Sequence, residues 1–291
     1  MATTATAPGP SSRLGRASRR LIRTPSLLAG GALLLVVAGS AVLATWIAPY
    51  NPVAQDLTRQ LLPPSLAHLF GTDEFGRDIF SRVLYGARIA LVVGILADGT
   101  AALLGVLLGL VAGFFGRWVD VAVMRSVDVL LAFPYLLLAM IVITVLGPGL
   151  LSATLAIGIV HTPQFARLVR GTVLSLREQD FVEAARALGA STPRMLGRHI
   201  VPNILSPIVV MASLTIGFTI TETAGLSFLG LGASPPTPEW GSMLATGRSF
   251  MLTAPWIATF PGFAVFVTVV GFNLLGDGLR DLLDPRLRGQ F

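Results

Sequence analysis

The chain has 291 residues, of which 53% are hydrophobic and 12% are charged, and its formal net charge is +6. The charged fraction is about half that of an average soluble domain, and the apolar residues fall in long runs, so the composition predicts a membrane protein. All 21 basic residues are Arg and Cys is absent. This excludes a phosphate-binding G-x-x-x-x-G-K-[ST] loop, Schiff-base chemistry, disulfides and thiolate metal sites.

The N-terminal region combines a basic tail with a long apolar stretch. Residues 1–24 are rich in Ala, Thr, Pro and Ser and contain five Arg, which predicts a flexible, basic, cytoplasmic tail. The uncharged stretch 25–50 is longer than the apolar region of a cleavable signal peptide and long enough to cross a bilayer. We therefore expect an uncleaved first transmembrane helix over about residues 27–47.

Five further apolar segments approach the roughly 20 residues that a helix needs to cross a membrane. They cover approximately residues 89–115, 121–146, 150–168, 203–231 and 256–275. The sequence therefore predicts an all-α membrane protein with about six transmembrane helices.

The predicted spans divide the chain into three regions. The tail covers residues 1–24, the first helix and an external segment cover 25–86, and a five-helix core covers 87–288.

The distribution of Arg predicts the orientation. If the N-terminus is cytoplasmic, sixteen Arg lie on the cytoplasmic side. The outer set is Arg59, Arg77, Arg82, Arg88 and Arg248. Because Arg collects on the cytoplasmic side of membrane spans, both termini are expected inside the cell. The net positive charge is therefore interpreted as topology rather than as nucleic-acid binding.

The predicted cytoplasmic segment between spans four and five contains a short amphipathic helix. Asp180 and Glu183 have the spacing of a capping box, and Gly189 is placed to end the helix. Its apolar face is formed by Phe181, Ala184, Ala185 and Leu188. Two interpretations remain open from these residues: a helix lying on the membrane surface, or a helix that docks on another protein. The small side chains favour docking.

This segment resembles a loop of the permeases of binding-protein-dependent ABC importers. Glu183-Ala184-Ala185, Gly189 and Ile200-Val201-Pro202 correspond to the E-A-A…G…I-x-L-P pattern of that family, with Val201 in place of Leu. In the family a coupling helix lies here and inserts into a groove of the ATPase subunit. The resemblance implies that Glu183, Ala184, Ala185 and Gly189 form the ATPase-coupling element.

Three further stretches resemble the peptide and nickel permeases, and in particular the "C"-type subunit of dipeptide and oligopeptide systems. They are Gly71-Thr72-Asp73 through Asp78, Ser227-Phe228-Leu229-Gly230-Leu231-Gly232 with the following Pro-rich stretch, and Gly276-Asp277-Gly278-Leu279-Arg280-Asp281 with Asp284-Pro285-Arg286. The first, the G-T-D block, is expected to be a turn that caps the second span, with contact to a partner as the alternative.

The resemblance also implies partners and an activity. The chain is expected to lie in a bacterial inner membrane. Its expected partners are a second homologous permease, two ATPase subunits and an external substrate-binding protein. ATP and Mg²⁺ would be bound by the ATPases, with no cofactor and no catalysis in this chain. The expected function is peptide import. The alternatives are import of nickel or metal-chelate complexes, and ATP-independent secondary transport.

Ionisable residues inside the predicted spans are candidates for the transport pathway. Asp98 and Glu222 are the two acids considered for this role, and each has a structural alternative as a partner of a neighbouring helix. Asp98 is expected to face the bundle or the pathway rather than lipid. His161 is expected to form a hydrogen bond between helices, and Asp128 a local ion pair with Arg125.

Overall fold

The protein consists of helices joined by turns and short irregular segments. The computed structural model describes residues 24–283, so the predicted tail, apart from Thr24, and the motif residues after Leu283 lie outside the described part. Within residues 24–283 there is no β-strand, and one isolated bridge joins Thr72 and Asp78. The all-α fold class is confirmed.

The helices of the described part have the following bounds. They are α1 (Pro25–Ile47), α2 (Ile79–Phe115), α3 (Arg117–Ala132), α4 (Tyr135–Leu146), α5 (Leu150–Arg177), α6 (Asp180–Ala187), α7 (Thr192–Met195), α8 (Val201–Phe228), α9 (Trp240–Arg248) and α10 (Trp256–Leu283). A single 3-10 turn covers Leu57–Arg59, and a π-helical turn over Leu196–Ile200 joins α7 to α8.

Several of these helices are long and apolar enough to cross a membrane. In residues 24–283 there are four, namely α1, α2, the continuous stretch Thr192–Phe228 and α10, or five if α3 and α4 form one bent span. The 28-residue α5 is long enough to cross. Its polar residues lower its mean hydropathy, so it is not among the helices that are apolar enough. The count of six spans therefore stays a prediction.

The third predicted span is broken at a proline. The sequence predicted one helix over residues 121–146, but the structure divides it into α3 and α4, which are bent by 101°. Phe133 has extended backbone angles and Pro134 precedes the first residue of α4. Proline lacks the N–H that a continuous helix needs and disfavours helical geometry in the preceding residue. The third predicted helix is therefore interrupted at Pro134, and a single bent span over α3 and α4 stays a prediction.

Glycines allow α2 and α5 to pack closely. Gly105, Gly109 and Gly113 recur at four-residue intervals on α2, so they lie along one side of the helix. A Cβ added at Gly109 would lie 2.6 Å from the carbonyl oxygen of Ala166, and one at Gly113 would lie 2.9 Å from Cβ of Val173. The close approach of the two backbones fixes the depth of each α5 residue relative to α2.

The segment between α1 and α2 folds over the N-terminal end of α2. The Asp78 side chain accepts a hydrogen bond from the Ser81 backbone N–H at 2.8 Å and thereby caps α2. Asp78 also contacts His68 Nδ1 at 2.9 Å, and the Trp256 indole donates to the Thr72 carbonyl at 3.2 Å. The G-T-D block is therefore a capping turn that ties the segment to α2 and α10.

Candidate functional site

Helix α6 is a short helix with a defined end. The Gly189 N–H donates to the Arg186 carbonyl and the Ala190 N–H donates to the Ala185 carbonyl, both at 3.0 Å. Gly189 has φ +74°. This is the hydrogen-bond pattern of a Schellman motif, in which glycine occupies the left-handed position after a helix. Gly189 ends the helix as its sequence position predicted.

The start of α6 differs from the prediction. Gln179, rather than Asp180, occupies the N-cap position, and no side chain caps it. Asp180 and Glu183 lie in the first turn, where a carboxylate is favourable because the helix N-terminus carries partial positive charge. The predicted capping box was wrong. Both acids nevertheless lie at the end of the helix where its dipole favours negative charge.

The two faces of α6 carry different residues. Val182 is fully buried and Ala185 is 9% exposed, so these two side chains pack the helix against the rest of the protein. Phe181, Ala184 and Leu188 are exposed, and Leu188 is 89% exposed. Their spacing of three and four residues places them on one face. The exposed face of α6 is thus a small apolar surface formed by Phe181, Ala184 and Leu188.

The four predicted coupling residues are therefore divided between the two faces and the end of α6. Glu183, Ala184 and Gly189 are exposed, whereas Ala185 packs inward. Their role toward an ATPase stays a prediction. Leu188 and Phe181, which the sequence placed on the apolar face without naming them as coupling residues, contribute the larger exposed side chains.

Short connections join α6 to the long helices on either side. Two residues separate it from α5, and residues 188–191 separate it from α7, from which the π-helical turn leads into α8 without a break. The Arg177 guanidinium at the end of α5 donates to the carbonyl oxygens of Gly113 and Phe114 on α2, at 3.0 and 3.1 Å. A displacement of α6 would therefore be transmitted to α5, α8 and α2.

Asp98 lies buried between helices. It is 4% exposed, and the Thr215 hydroxyl of α8 donates a hydrogen bond to its carboxylate at 2.6 Å. An ionised carboxylate in the apolar part of a bilayer is costly unless it is paired or hydrated. Asp98 faces the helix bundle, in agreement with the expected orientation, and its place in the transport pathway stays a prediction.

Glu222 and His161 form a further buried polar contact between helices. His161 Nε2 on α5 lies 2.5 Å from Glu222 Oε2 on α8, and the two side chains are 7% and 15% exposed. Nδ1 of His161 has no hydrogen-bond partner among the described residues. The predicted hydrogen bond between helices involving His161 is therefore present, and Glu222 is its partner. A pathway role for Glu222 stays a prediction.

Two ion pairs link α3 to α5. Arg167 donates to Asp128 at 2.6 Å, and the Arg170 guanidinium forms two hydrogen bonds with the Asp120 carboxylate, of which the one from Nη2 to Oδ2 is 2.6 Å long. The local pair predicted for Asp128 with Arg125 was wrong, because Arg167 approaches Asp128 from another helix. Sequence spacing alone did not show these contacts, since they join residues far apart in the chain.

The described residues do not suggest a metal centre. In residues 24–283, no group of three or more His, Asp or Glu side chains is arranged to hold a metal ion.

Comparison with known proteins identifies the family. Residues 105–289 match the family of binding-protein-dependent transport system inner membrane components. Residues 12–64 match the N-terminal TM domain of oligopeptide transport permease C. The first match covers well over half of the chain. The chain belongs to this family. As a permease component it is an integral membrane transport subunit rather than an enzyme.

Three relatives show how far the similarity of this permease extends. It is 48% identical over 256 residues to the dipeptide transport system permease protein DppC of Alkalihalophilus pseudofirmus, covering 88% of this chain and 83% of the relative. It is 46% identical over 271 residues to a putative peptide transport system permease of Brucella suis, covering 93% and 91%. It is 50% identical over 258 residues to the glutathione transport system permease protein GsiD of Escherichia coli, covering 88% and 84%.

Solved structures show the same fold. The permease matches a chain of the MetNI methionine ABC transporter in an inward-facing conformation with a TM-score of 0.56 and 17% identity, covering 69% of this chain and 94% of that one. An amino acid ABC transporter with histidines matches with a TM-score of 0.53 and 16% identity, covering 68% and 92%. At these identities the likeness concerns the fold alone.

Proposed function

We propose that this permease is the transmembrane subunit of an ATP-driven importer that carries peptides across a bacterial inner membrane. The observation that carries the proposal is the exposed apolar face of α6, which the chain holds by short connections between two long helices. Relatives at 46–50% identity are named for dipeptide, peptide and glutathione transport. Glutathione is itself a tripeptide, so these names share one class of cargo.

The partners follow from this assignment. A second homologous permease completes the membrane passage, two ATPase subunits bind ATP and Mg²⁺, and an external protein delivers cargo. The chain has no Lys and therefore no phosphate-binding loop of its own. Both termini and α6 face the cytoplasm in this assignment, as the Arg distribution favours.

The proposed mechanism couples closure of the ATPases to movement of the spans. Phe181, Ala184 and Leu188 pack against an ATPase groove, so that motion of the groove displaces α6. The hydrogen bonds of Arg177 to the end of α2 carry the displacement to that helix. Since packed helices have discrete arrangements, such a shift can exchange an inward-open for an outward-open passage.

The experiment compares two substitutions at Ala184. Ala184→Arg places a long charged side chain on the exposed apolar face, and Ala184→Ser preserves a small one. We expect Ala184→Arg to weaken capture of the ATPase by at least about tenfold, equivalent to ~1.4 kcal/mol, and to abolish ATP-driven uptake in proteoliposomes. Ala184→Ser should retain both activities. Full uptake with Ala184→Arg at normal membrane expression would remove the docking assignment.

A further inference from the structure

Arg88 on α2 lies against the C-terminal part of the first helix. The Arg88 guanidinium donates to two carbonyl oxygens of α1, from Nε to Ala41 at 3.2 Å and from Nη2 to Val42 at 3.5 Å. Its Cζ also lies 5.7 Å from the centroid of the Tyr85 ring, in the preceding turn of α2. These contacts hold the guanidinium on the surface where α1 and α2 meet.

Arg88 has no acidic partner, in contrast to three other arginines of the outer set. Arg59, Arg77 and Arg82 each lie beside an Asp carboxylate. None of the ion pairs formed by residues 24–283 includes Arg88. A guanidinium has five N–H donors, of which α1 accepts two. Since Arg88 is exposed, its remaining donors and its charge are available to a ligand.

The surface around Arg88 is apolar and belongs to two helices that are long and apolar enough to cross a membrane. Val92, one turn further along α2, is 50% exposed, and Trp46 on α1 is 81% exposed. Ala41 lies six residues before Ile47, the last residue of α1, which is about 9 Å along the helix axis. In the orientation that the Arg distribution favours, this end of α1 is the outer one. Arg88 is therefore expected near the outer edge of the hydrocarbon layer.

A guanidinium in this position requires an anion. Exposure of a charge to hydrocarbon is costly, and long Arg side chains near the ends of membrane helices extend toward the lipid headgroups. The phosphate of a headgroup is the anion at that level, and its oxygens match the paired N–H donors of a guanidinium. Trp46 agrees with the same level, because Trp is enriched where a membrane helix meets the headgroups.

We propose that Arg88 binds the phosphate of an anionic phospholipid of the outer leaflet, at the surface between α1 and α2. The phosphate compensates the charge while the α1 carbonyls keep the guanidinium in place, so the lipid strengthens the attachment of α1 to α2. Phosphatidylglycerol suits this site because its headgroup carries a net negative charge. Phosphatidylcholine suits it less, because its own choline cation competes for the phosphate. The inference concerns the lipid around the permease and is independent of the cargo.

Local quenching of fluorescence tests the inference, because the chain has no Cys and a single label can be placed beside Arg88. Val92→Cys carries the fluorophore, and Leu35→Cys, at an exposed apolar position of α1, is the control position. Each variant is assembled with Cys-free partner subunits in nanodiscs. The lipid contains the same fraction of either spin-labelled phosphatidylglycerol or spin-labelled phosphatidylcholine, and the quenching by the two lipids is compared.

At Val92 we expect phosphatidylglycerol to quench about fivefold more strongly than phosphatidylcholine, and Arg88→Gln to abolish this preference. Arg88→Lys retains the charge without the planar fork and should keep a reduced preference. Arg59→Gln should leave the preference unchanged, since Arg59 pairs with Asp56. The label at Leu35 should show no preference in any variant.

A preference at Val92 that Arg88→Gln retains, or no preference with the native Arg88, would overturn the inference. Absence of quenching by either lipid would also overturn it, because the partner permease would then cover this face. Soluble glycerol phosphate distinguishes a free phosphate from a lipid headgroup. We expect its addition to leave the preference unchanged, and loss of the preference would show that the site takes soluble phosphate instead.

Discussion

The imidazole of His161 on α5 and the carboxylate of Glu222 on α8 lie 2.5 Å apart and join helices that are distant in sequence. Both side chains are largely buried, so removal of either partner leaves the other without compensation. We expect Glu222→Ala and His161→Ala each to lower the free energy of unfolding by roughly 2–4 kcal/mol. The double variant should lose clearly less than the sum, as measured by unfolding in detergent.

The control for this cycle is Thr221→Ala on the neighbouring position of α8. The Thr221 hydroxyl donates only to the Gly217 carbonyl of its own helix, so its removal should have a small effect. Strictly additive losses for His161→Ala and Glu222→Ala would show that the contact makes no energetic contribution.

Asp98 provides a second test. Asp98→Asn keeps an acceptor for the Thr215 hydroxyl, so we expect normal assembly with an altered transport rate. Asp98→Leu removes the acceptor and should impair uptake more strongly, by roughly tenfold if the hydrogen bond contributes about 1.5 kcal/mol. Uptake by reconstituted complexes is the measurement.

Thr215→Val serves as the partner control, because it removes the donor of the same hydrogen bond. A stabilising role for the bond predicts that Thr215→Val reduces uptake as Asp98→Leu does. Normal transport by Asp98→Leu would make the carboxylate incidental.

Gly189 tests the rigidity of α6. Gly189→Ala introduces no clash within 4 Å, but the backbone stays at φ +74°. An L-residue there costs about 1 kcal/mol, so capture of the ATPase should weaken roughly fivefold. Gly197→Ala is the matched control: its added Cβ also meets nothing within 4 Å and Gly197 lacks a positive φ. Equal capture by the two variants would show that the Schellman turn does not position the docking face.

Topology can be measured with single cysteines at exposed serines. We expect Ser65→Cys and Ser234→Cys to react with an impermeant thiol reagent in intact cells. Ser191→Cys should react only after the cells are permeabilised, because the Arg distribution predicts that this loop lies in the cytoplasm. Labelling of position 191 in intact cells, with positions 65 and 234 protected, would reverse the orientation.

The sequence predicted features that depend on local chemistry. Gly189 ends α6 because a left-handed position after a helix favours glycine. The G-T-D block caps α2 because Asp78 precedes the first helical residue and its side chain accepts a hydrogen bond from the Ser81 N–H. Both outcomes follow from residue types within a few positions of one another.

Features that depend on contacts between helices were harder to predict. Asp128 pairs with Arg167 of α5, although Arg125 was its nearest basic neighbour in sequence. Ala185 packs inward beside Val182, a position that helical spacing alone does not distinguish from the exposed face. At Pro134 the apolar run continues and proline is tolerated within membrane spans, so the sequence indicated at most a kink within one helix.

Uptake by the complete reconstituted complex tests the central claim most directly. The permease, its partner permease, the two ATPases and the binding protein are placed in proteoliposomes, and uptake of labelled di- to pentapeptides is compared with that of labelled nickel chelates. We predict ATP-dependent uptake of labelled peptides. Unlabelled peptides should reduce this uptake by competition, and nickel chelates should leave it unchanged. ATP-dependent nickel uptake without peptide uptake would contradict the peptide assignment, and uptake independent of ATP would contradict the importer assignment itself.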